Sequence, residues 1–239
     1  MARGQGTKSS RGSKIGDGGA RRQTERVKTA RRRKIGSTQW LQRQLNDPYV
    51  QEARKDGYRS RAAYKLSQID KKFKLFKPGI KVVDLGAAPG GWTQIAVEKV
   101  LPEISGGKVI AFDINEILPI KGATILQGDL FDTKVPEELR HLTLGKADGV
   151  LSDMAAAATG HSKTDHLRTM ALAEEALRFA CDALIDGGFF VVKILQGADE
   201  PALFSCMRKS FGKVKRYKPA ASRSDSKEIY IIGTQFKGS

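Results

Sequence analysis

The stretch Val82-Val83-Asp84-Leu85-Gly86-Ala87-Ala88-Pro89-Gly90-Gly91-Trp92 ends a short apolar run in an acid and then breaks into small residues and glycine. A helix-compatible segment begins at Thr93. Glycines let the main chain approach a ligand closely, and in an open α/β sheet such a turn lies at the carboxyl edge, where small molecules bind. An acid at that place favours a cationic or hydroxyl-bearing ligand over a bare phosphate. The spacing is not Gly-x-Gly-x-x-Gly and no Gly-Lys-Ser/Thr follows, so neither the dinucleotide fingerprint nor the P-loop is met. Asp113 closes the second apolar run, and Asp129 follows the third within Gln127-Gly128-Asp129. Acids at these places commonly hold the ribose and the base of a nucleoside cofactor. Asp113 alone does not say which cofactor, because a hydride-transfer enzyme would want the same acid.

A second set of residues could move a proton. Phe189-Phe190-Val191-Val192-Lys193-Ile194-Leu195 embeds a lysine in an apolar run, which is costly unless the charge is paired or lost. Asp153, in Leu151-Ser152-Asp153-Met154, is the natural partner if those two strands are neighbours. Lys65 on an upstream helix and Glu228 at the start of the last strand complete a set of two bases and two acids. Alternating charges of this kind suit a general base that takes a proton from a weakly acidic hydroxyl. His161 and His166 flank Asp165, but no third ligand stands at metal-binding spacing, so they read as polar loop residues.

The elements that must position these groups are legible as alternating strands and helices. Asp47-Pro48-Tyr49-Val50 is a helix start. Ala62, Leu66 and Ile69 recur at helical spacing, giving an amphipathic helix before the first strand. Further strands are expected at 108–113, 123–127, 149–152, 188–194, 214–217 and 228–233, with helices at 92–100, 134–142, 166–185 and 200–210. Strands separated by helices imply a mostly parallel, Rossmann-like sheet with right-handed crossovers. The chain between Lys218 and Lys227 is too short for a crossover helix, so the last two strands should be antiparallel. That reversal brings Glu228 to the edge where the parallel strands end.

The totals bound the class. At 239 residues the chain suits one domain plus a tail. The net charge is +16, and residues 1–36 hold 12 Lys/Arg against 2 acids, so the tail carries +10 and the rest +6. The chain therefore divides into a basic tail at 1–36, expected to be disordered alone, and a domain at 37–239. A basic arm on a mildly basic domain fits a polyanionic partner, nucleic acid ahead of membrane. Arg31-Arg32-Arg33-Lys34, Arg54-Lys55, Arg59, Arg61, Lys213, Lys215 and Arg216 are the candidate phosphate contacts. Cys181 and Cys206, both in expected amphipathic helices, read as small buried hydrophobes of a reducing compartment. No apolar run reaches membrane-spanning length.

Taken together, Asp84-Leu85-Gly86-Ala87-Ala88-Pro89-Gly90-Gly91-Trp92, Ser152-Asp153-Met154, Val191-Val192-Lys193 and Ser226-Lys227-Glu228-Ile229-Tyr230 resemble the FtsJ/RrmJ family. Its members are S-adenosylmethionine-dependent ribose 2′-O-methyltransferases. The likeness continues upstream through Trp40-Leu41-Gln42, Asp47-Pro48-Tyr49-Val50 and Arg59-Ser60-Arg61-Ala62 to Lys65, spanning about residue 38 to residue 235. It implies a seven-stranded methyltransferase sheet with a reversed last strand. It implies S-adenosyl-L-methionine as cofactor, and a ribose of large-subunit ribosomal RNA, at a uridine, as substrate. Lys193 would be the proton acceptor in a Lys65-Asp153-Lys193-Glu228 tetrad. Cofactor contacts would fall on Gly90, Trp92, Asp113, Asp129 and Asp153, with Asp113 at the ribose and Asp129 at the adenine. A cytoplasmic monomer acting on the large ribosomal subunit, without metal or membrane, completes the expectation.

One departure stands out. After Ser152-Asp153-Met154 the family commonly has proline and asparagine, whereas this chain runs Ala155-Ala156-Ala157-Ala158-Thr159-Gly160, losing a rigid kink and a side-chain amide. Three other readings keep distinct tests. A ribosome-assembly or RNA-binding factor without catalysis would not incorporate methyl groups. A transfer-RNA or messenger-RNA-cap enzyme of the same family would share the tetrad. A nicotinamide dehydrogenase would need a glycine fingerprint that this chain lacks.

Overall fold

A computed structural model describes residues 45–238 apart from 144, 157, 158 and 198, and Asp47–Ser239 form one compact unit. Two helices lead in. Pro48–Asp56 (α1) is capped by the Asp47 carboxylate, which accepts from the Tyr49 N–H at 3.1 Å, and Pro48 takes the first-turn position where no N–H is needed. Ala62–Phe73 (α2) buries Ala63, Leu66 and Ile69 on one stripe.

The chain then alternates through Lys81–Leu85 (β1), Gly91–Val100 (α3), Pro102–Ser105 (α4), Lys108–Asp113 (β2), Thr124–Gln127 (β3) and Val135–Leu142 (α5). Ala147–Ser152 (β4), Ser162–Ala183 (α6), Leu184–Leu195 (β5), Glu200–Ser210 (α7), Phe211–Tyr217 (β6) and Glu228–Phe236 (β7) follow. The seven strands form a single sheet in the order β3-β2-β1-β4-β5-β7-β6. The β1–β2, β1–β4, β2–β3 and β4–β5 pairs are parallel, and β7 runs antiparallel to both neighbours. The mostly parallel α/β sheet with a reversed last strand is thus the observed architecture.

The strand order has a physical reason. β7 is buried along most of its length and sits inside the sheet, whereas β6 carries Lys213, Lys215 and Arg216 and is mostly exposed. A charged strand at the sheet edge resists pairing with other chains. The core divides with the period of two. Val83, Leu85, Phe190, Val192 and Ile231 face the layer of α5, α6 and α7. Val82, Leu151, Phe189, Val191, Tyr230 and Ile232 face α2 and α3. Each fully buried Leu or Ile in these layers contributes about 1.5–3 kcal/mol of transfer free energy. By the same parity Lys193 and Glu228 share the α2 side, which is why Lys65 can reach Glu228.

Boundaries shifted where local signals misled. The helix expected at 166–185 runs Ser162–Ala183, and the strand expected at 188–194 begins at Leu184. Gly187-Gly188 look like a turn, and Gly187 does have a φ of 80°. The register jumps there from Ala147↔Leu184 to Gly149↔Phe189, an irregularity inside a continuing strand. β6 and β7 are longer than expected, reaching back to Phe211 and on to Phe236. The Cys181 thiol lies 3.7 Å from Ser210 Oγ and is half-buried, but Cys206 is exposed, which corrects its reading as a buried hydrophobe. Among the described residues, no helix is long and apolar enough to cross a membrane. The tail at 1–36 and the Trp40-Leu41-Gln42 segment lie outside the described residues.

Gly149 fixes how closely β4 packs under β5. A Cβ built on it would collide with the Phe189 ring, a buried side chain. Gly149→Ala is expected to lower stability by about 1–3 kcal/mol through overpacking. Thermal denaturation should show this as a fall of several degrees, and an unchanged midpoint would mean the ring moves freely.

Candidate active site

The functional edge is built where β1, β2, β4 and β5 end and β7 begins. After β1 the chain turns sharply, and the Gly86 and Ala87 N–H groups donate to Phe112 O at 2.9 and 3.1 Å. Gly86 has a φ of 74°, and a Cβ there would lie 2.7 Å from the Met154 Cα. Gly90 caps α3 with a φ of 113°, and its Cβ would lie 2.5 Å from Ile120 Cδ1. Only glycine meets both demands, a left-handed backbone and a close neighbour. Asp113 braces the same turn: Oδ2 accepts from the Ala88 N–H at 2.9 Å, and Oδ1 accepts from the Asn115 N–H and side-chain amide at 2.8 and 2.9 Å. The Gly128 N–H donates to Asp113 O at 3.0 Å, so the β3 turn carrying Asp129 sits beside the end of β2. Asp129 is exposed, and its Oδ1 accepts from the Phe131 N–H at 3.0 Å.

The lysines and acids of the second set do meet. Lys193 Nζ stands 3.1 Å from Asp153 Oδ1 and also donates to the Asp153 main-chain oxygen. Lys65 Nζ stands 2.7 Å from Glu228 Oε1. β-ladder register explains both: Ser152 pairs Val192, Lys193 pairs Tyr230 and Leu195 pairs Glu228. All four side chains are 17% exposed or less, so these pairs are screened far less than surface ion pairs.

Tyr230 joins the two pairs, and sequence reasoning assigned it no part. Its hydroxyl lies 3.1 Å from Asp153 Oδ1 and 3.1 Å from Glu228 Oε1. One proton serves two acceptors, so each carboxylate also needs its own lysine. The signal was present, because the period of two in Glu228-Ile229-Tyr230 puts residues 228 and 230 on one face. Burial, with the two carboxylates adding, pushes the Tyr230 phenol well above its ordinary value and keeps it a neutral donor. Burial also raises the Glu228 carboxyl, but Lys65, Lys193 and the Ser222 hydroxyl outweigh it and hold that acid below its ordinary range. Trp92 is a wall of this network. Its indole is 2% exposed, lies 5.6 Å from the Tyr230 ring between centroids, and donates from Nε1 to Ala62 O at 2.8 Å.

Two candidate phosphate contacts turn out to be braces. The Arg59 guanidinium donates to Leu118 O and Pro119 O at 2.6 Å each and to Pro89 O at 3.3 Å, tying the glycine turn to the segment after β2. Arg61 pairs with Asp47 and donates to Ala221 O, and Arg223 reaches the same Asp47 carboxylate at 3.2 Å. That clamp holds the loop carrying Ser222, whose hydroxyl donates to Glu228 Oε1 at 3.0 Å. Their types suggested phosphate binding; their hydrogen bonds to carbonyls and Asp47 could not be read from the sequence. Residues 31–34 lie outside the described residues, as do Ala157 and Ala158 of the alanine run.

The donor set suits a cationic nucleoside cofactor. Asp84 is fully buried; Oδ2 accepts from the Thr93 hydroxyl at 2.7 Å, while Oδ1 has no hydrogen-bond partner among the described residues. Three acids, Asp84, Asp113 and Asp153, thus surround one glycine turn. Ile114 and Phe131, directly after Asp113 and close after Asp129, are 62% and 57% exposed and offer apolar faces for a base.

Comparison with known proteins identifies the family. The sequence model of the FtsJ-like methyltransferase family matches residues 58–236. A protein from Paramagnetospirillum magneticum named ribosomal RNA large subunit methyltransferase E is 54% identical, over 98% of each chain. One of the same name from Parvibaculum lavamentivorans is 50% identical, over 98% of this chain and 93% of its own. A Plasmodium falciparum crystal structure, provisionally described as a ribosomal RNA methyltransferase, superposes with a TM-score of 0.68 at 29% identity, covering 76% of this chain and 100% of that one.

Asp84 makes the site's electrostatics testable. Burial above all raises its carboxyl from 3.8 to about 7, with Asp153 and Asp113 adding and the Thr93 hydrogen bond opposing. An acid raised in the folded state destabilises it on ionising: the penalty starts above the unfolded value of 3.8 and is complete above about 7. Asp84→Asn removes that penalty. Its melting temperature relative to wild type is expected to be more favourable at pH 8 than at pH 5, and a difference that does not change with pH would contradict a buried ionisable Asp84.

Proposed function

The chain belongs to the FtsJ-like methyltransferase family, and from that premise we propose that it transfers a methyl group to a ribose 2′-hydroxyl of large-subunit ribosomal RNA, at a uridine. The observation that carries this reading is the meeting of Lys193 with Asp153 and of Lys65 with Glu228 at the edge that bears the glycine turn. The names of the two bacterial relatives, both ribosomal RNA large subunit methyltransferase E, support the substrate.

S-adenosyl-L-methionine would supply a sulfonium-activated methyl group when bound. The residues present fit it: Asp113 and Asp153 offer negative charge to a cationic molecule. Gly86 and Gly90 give the turn the left-handed backbone that shapes it, and Asp113 and Asp129 with Ile114 and Phe131 would hold its nucleoside. Since the Trp92 indole is already engaged with Ala62 O, its contribution would come from the main chain at the start of α3.

In this reading Lys193 first gives up its ammonium proton to solvent. Its neutral amine accepts the ribose proton as the hydroxyl oxygen takes the methyl group, and the ammonium so restored is held by the Asp153 carboxylate and main-chain oxygen. Lys65 orients the hydroxyl from the other side and Glu228 fixes Lys65. Tyr230 keeps both carboxylates at a set distance. Alignment of hydroxyl and methyl group supplies the larger part of the acceleration and proton removal a smaller one. The enzyme is proposed to act as a cytoplasmic monomer on RNA of the large ribosomal subunit. Its basic tail would add phosphate contacts that weaken as salt rises.

Incubation of the purified protein with labelled cofactor and large ribosomal subunits from cells lacking it tests the proposal. Wild type is expected to label ribose, whereas Lys193→Ala should lower the rate by about a hundredfold or more with cofactor affinity nearly intact. Transfer at the wild-type rate by Lys193→Ala would remove that lysine from its role, and labelling of a base would overturn the ribose assignment.

A further inference from the structure

The sheet edge does not close after Lys193 and Glu228. The Gln196 N–H donates to Lys227 O at 2.8 Å, one step beyond the Leu195–Glu228 pair, and carries the ladder into a cleft of about 800 Å³. The cleft is therefore continuous with the strand ends that hold the proposed tetrad. Its volume lies in the range of small-molecule sites.

Its lining has the chemistry of one ligand class. Leu167, 60% exposed at the start of α6, and Leu195 at the end of β5 give it apolar surface. Gln196 is exposed and offers an amide that both donates and accepts, as the edge of a nucleobase requires. Lys163 and Lys227 are exposed cations on the same lining and match a phosphate. One wall is fixed in place. His166 Nε2 lies 3.1 Å from Asp199 Oδ2, and Gly197 is so near the imidazole that a Cβ there would collide with it. The acid next to this wall is already engaged: Asp165 accepts from the Thr159 N–H and hydroxyl at 2.8 and 2.7 Å and from the Gly160 N–H at 3.3 Å.

We infer that this cleft takes the unstacked base and phosphate of a nucleotide adjacent to the methylated ribose. The inference rests on the RNA ribose reading and extends it, since sequence-dependent RNA recognition works by splaying bases out of single-stranded segments into pockets of this kind. Apolar surface alone would suit many occupants. The two lysines and the amide, contiguous with a site proposed for ribose, select a nucleotide.

Leu167→Glu places a negative charge in the cleft at an exposed position and leaves the tetrad untouched. Two measurements on the full chain decide the matter. In the first, isotope-labelled protein saturated with S-adenosylhomocysteine, so that the cofactor site is blocked, is titrated with AMP, CMP, GMP and UMP. At least one monophosphate is expected to shift the Gln196 side-chain amide and Gly197 N–H resonances in wild type and not in Leu167→Glu. In the second, Leu167→Glu is expected to raise KM for large ribosomal subunits about tenfold with kcat and cofactor affinity unchanged, the scale of one lost apolar contact in a pocket. Absence of shifts, shifts that persist in the variant, or an unchanged KM would overturn the cleft assignment. The titration needs no methyl transfer. Shifts without ribose methylation would overturn the catalytic reading alone, and methylation without shifts the cleft alone.

Discussion

A lysine at the end of an apolar strand has to be answered by charge, and much of this edge is arranged around that demand. Lys193 is 8% exposed, and the Asp153 carboxylate and main-chain oxygen meet its ammonium. Removing one partner of a buried pair costs about 3–5 kcal/mol, so neither member can drift alone. Asp153 can sit there because its N–H donates to Leu85 O at 3.1 Å, extending the β1–β4 ladder past Ser152. The same hydrogen bond fixes the distance between the Lys193–Asp153 pair and the glycine turn. The proposed cofactor site and the proposed base are thus held to one piece of backbone.

The reversal of β7 supplies the other half. A parallel strand would begin at the far end of the sheet, and Glu228 would lie away from Lys65. Run antiparallel, β7 delivers Glu228 opposite Leu195 and Tyr230 opposite Lys193. The loop before it is not left to wander. Ala221 N–H donates to the Gln68 side chain at 2.9 Å, and Arg61 clasps Ala221 O, so α2 positions both Lys65 and the approach to Glu228. Arg59, three residues before α2, braces the glycine turn. A single short region upstream of the sheet therefore sets the geometry of both halves.

Much of this was legible in the residues. Apolar runs ending in acids marked the strand ends, and the short connection from Lys218 to Lys227 marked the reversal that the ladders display. What could not be read was tertiary. The insertion of β7 between β5 and β6 follows from which strand is apolar on both faces, a comparison between strands rather than a local signal. Gly187-Gly188 imitated a turn because an irregularity and a turn use the same residues. Arg59 and Arg61 imitated phosphate ligands because charge says nothing of whether a carbonyl is waiting inside the fold. Tyr230 lay in a quoted motif, yet its hydroxyl acquired meaning only when two carboxylates arrived from different strands.

Mapping of 2′-O-methylation along large-subunit ribosomal RNA is the most direct trial of the central claim. The cells to compare carry the gene, lack it, or carry it with Lys193→Ala. One ribose, at a uridine, should be methylated only where the wild-type gene is present. Identical maps in all three strains would contradict the account, as would loss of a base methyl group in place of a ribose one.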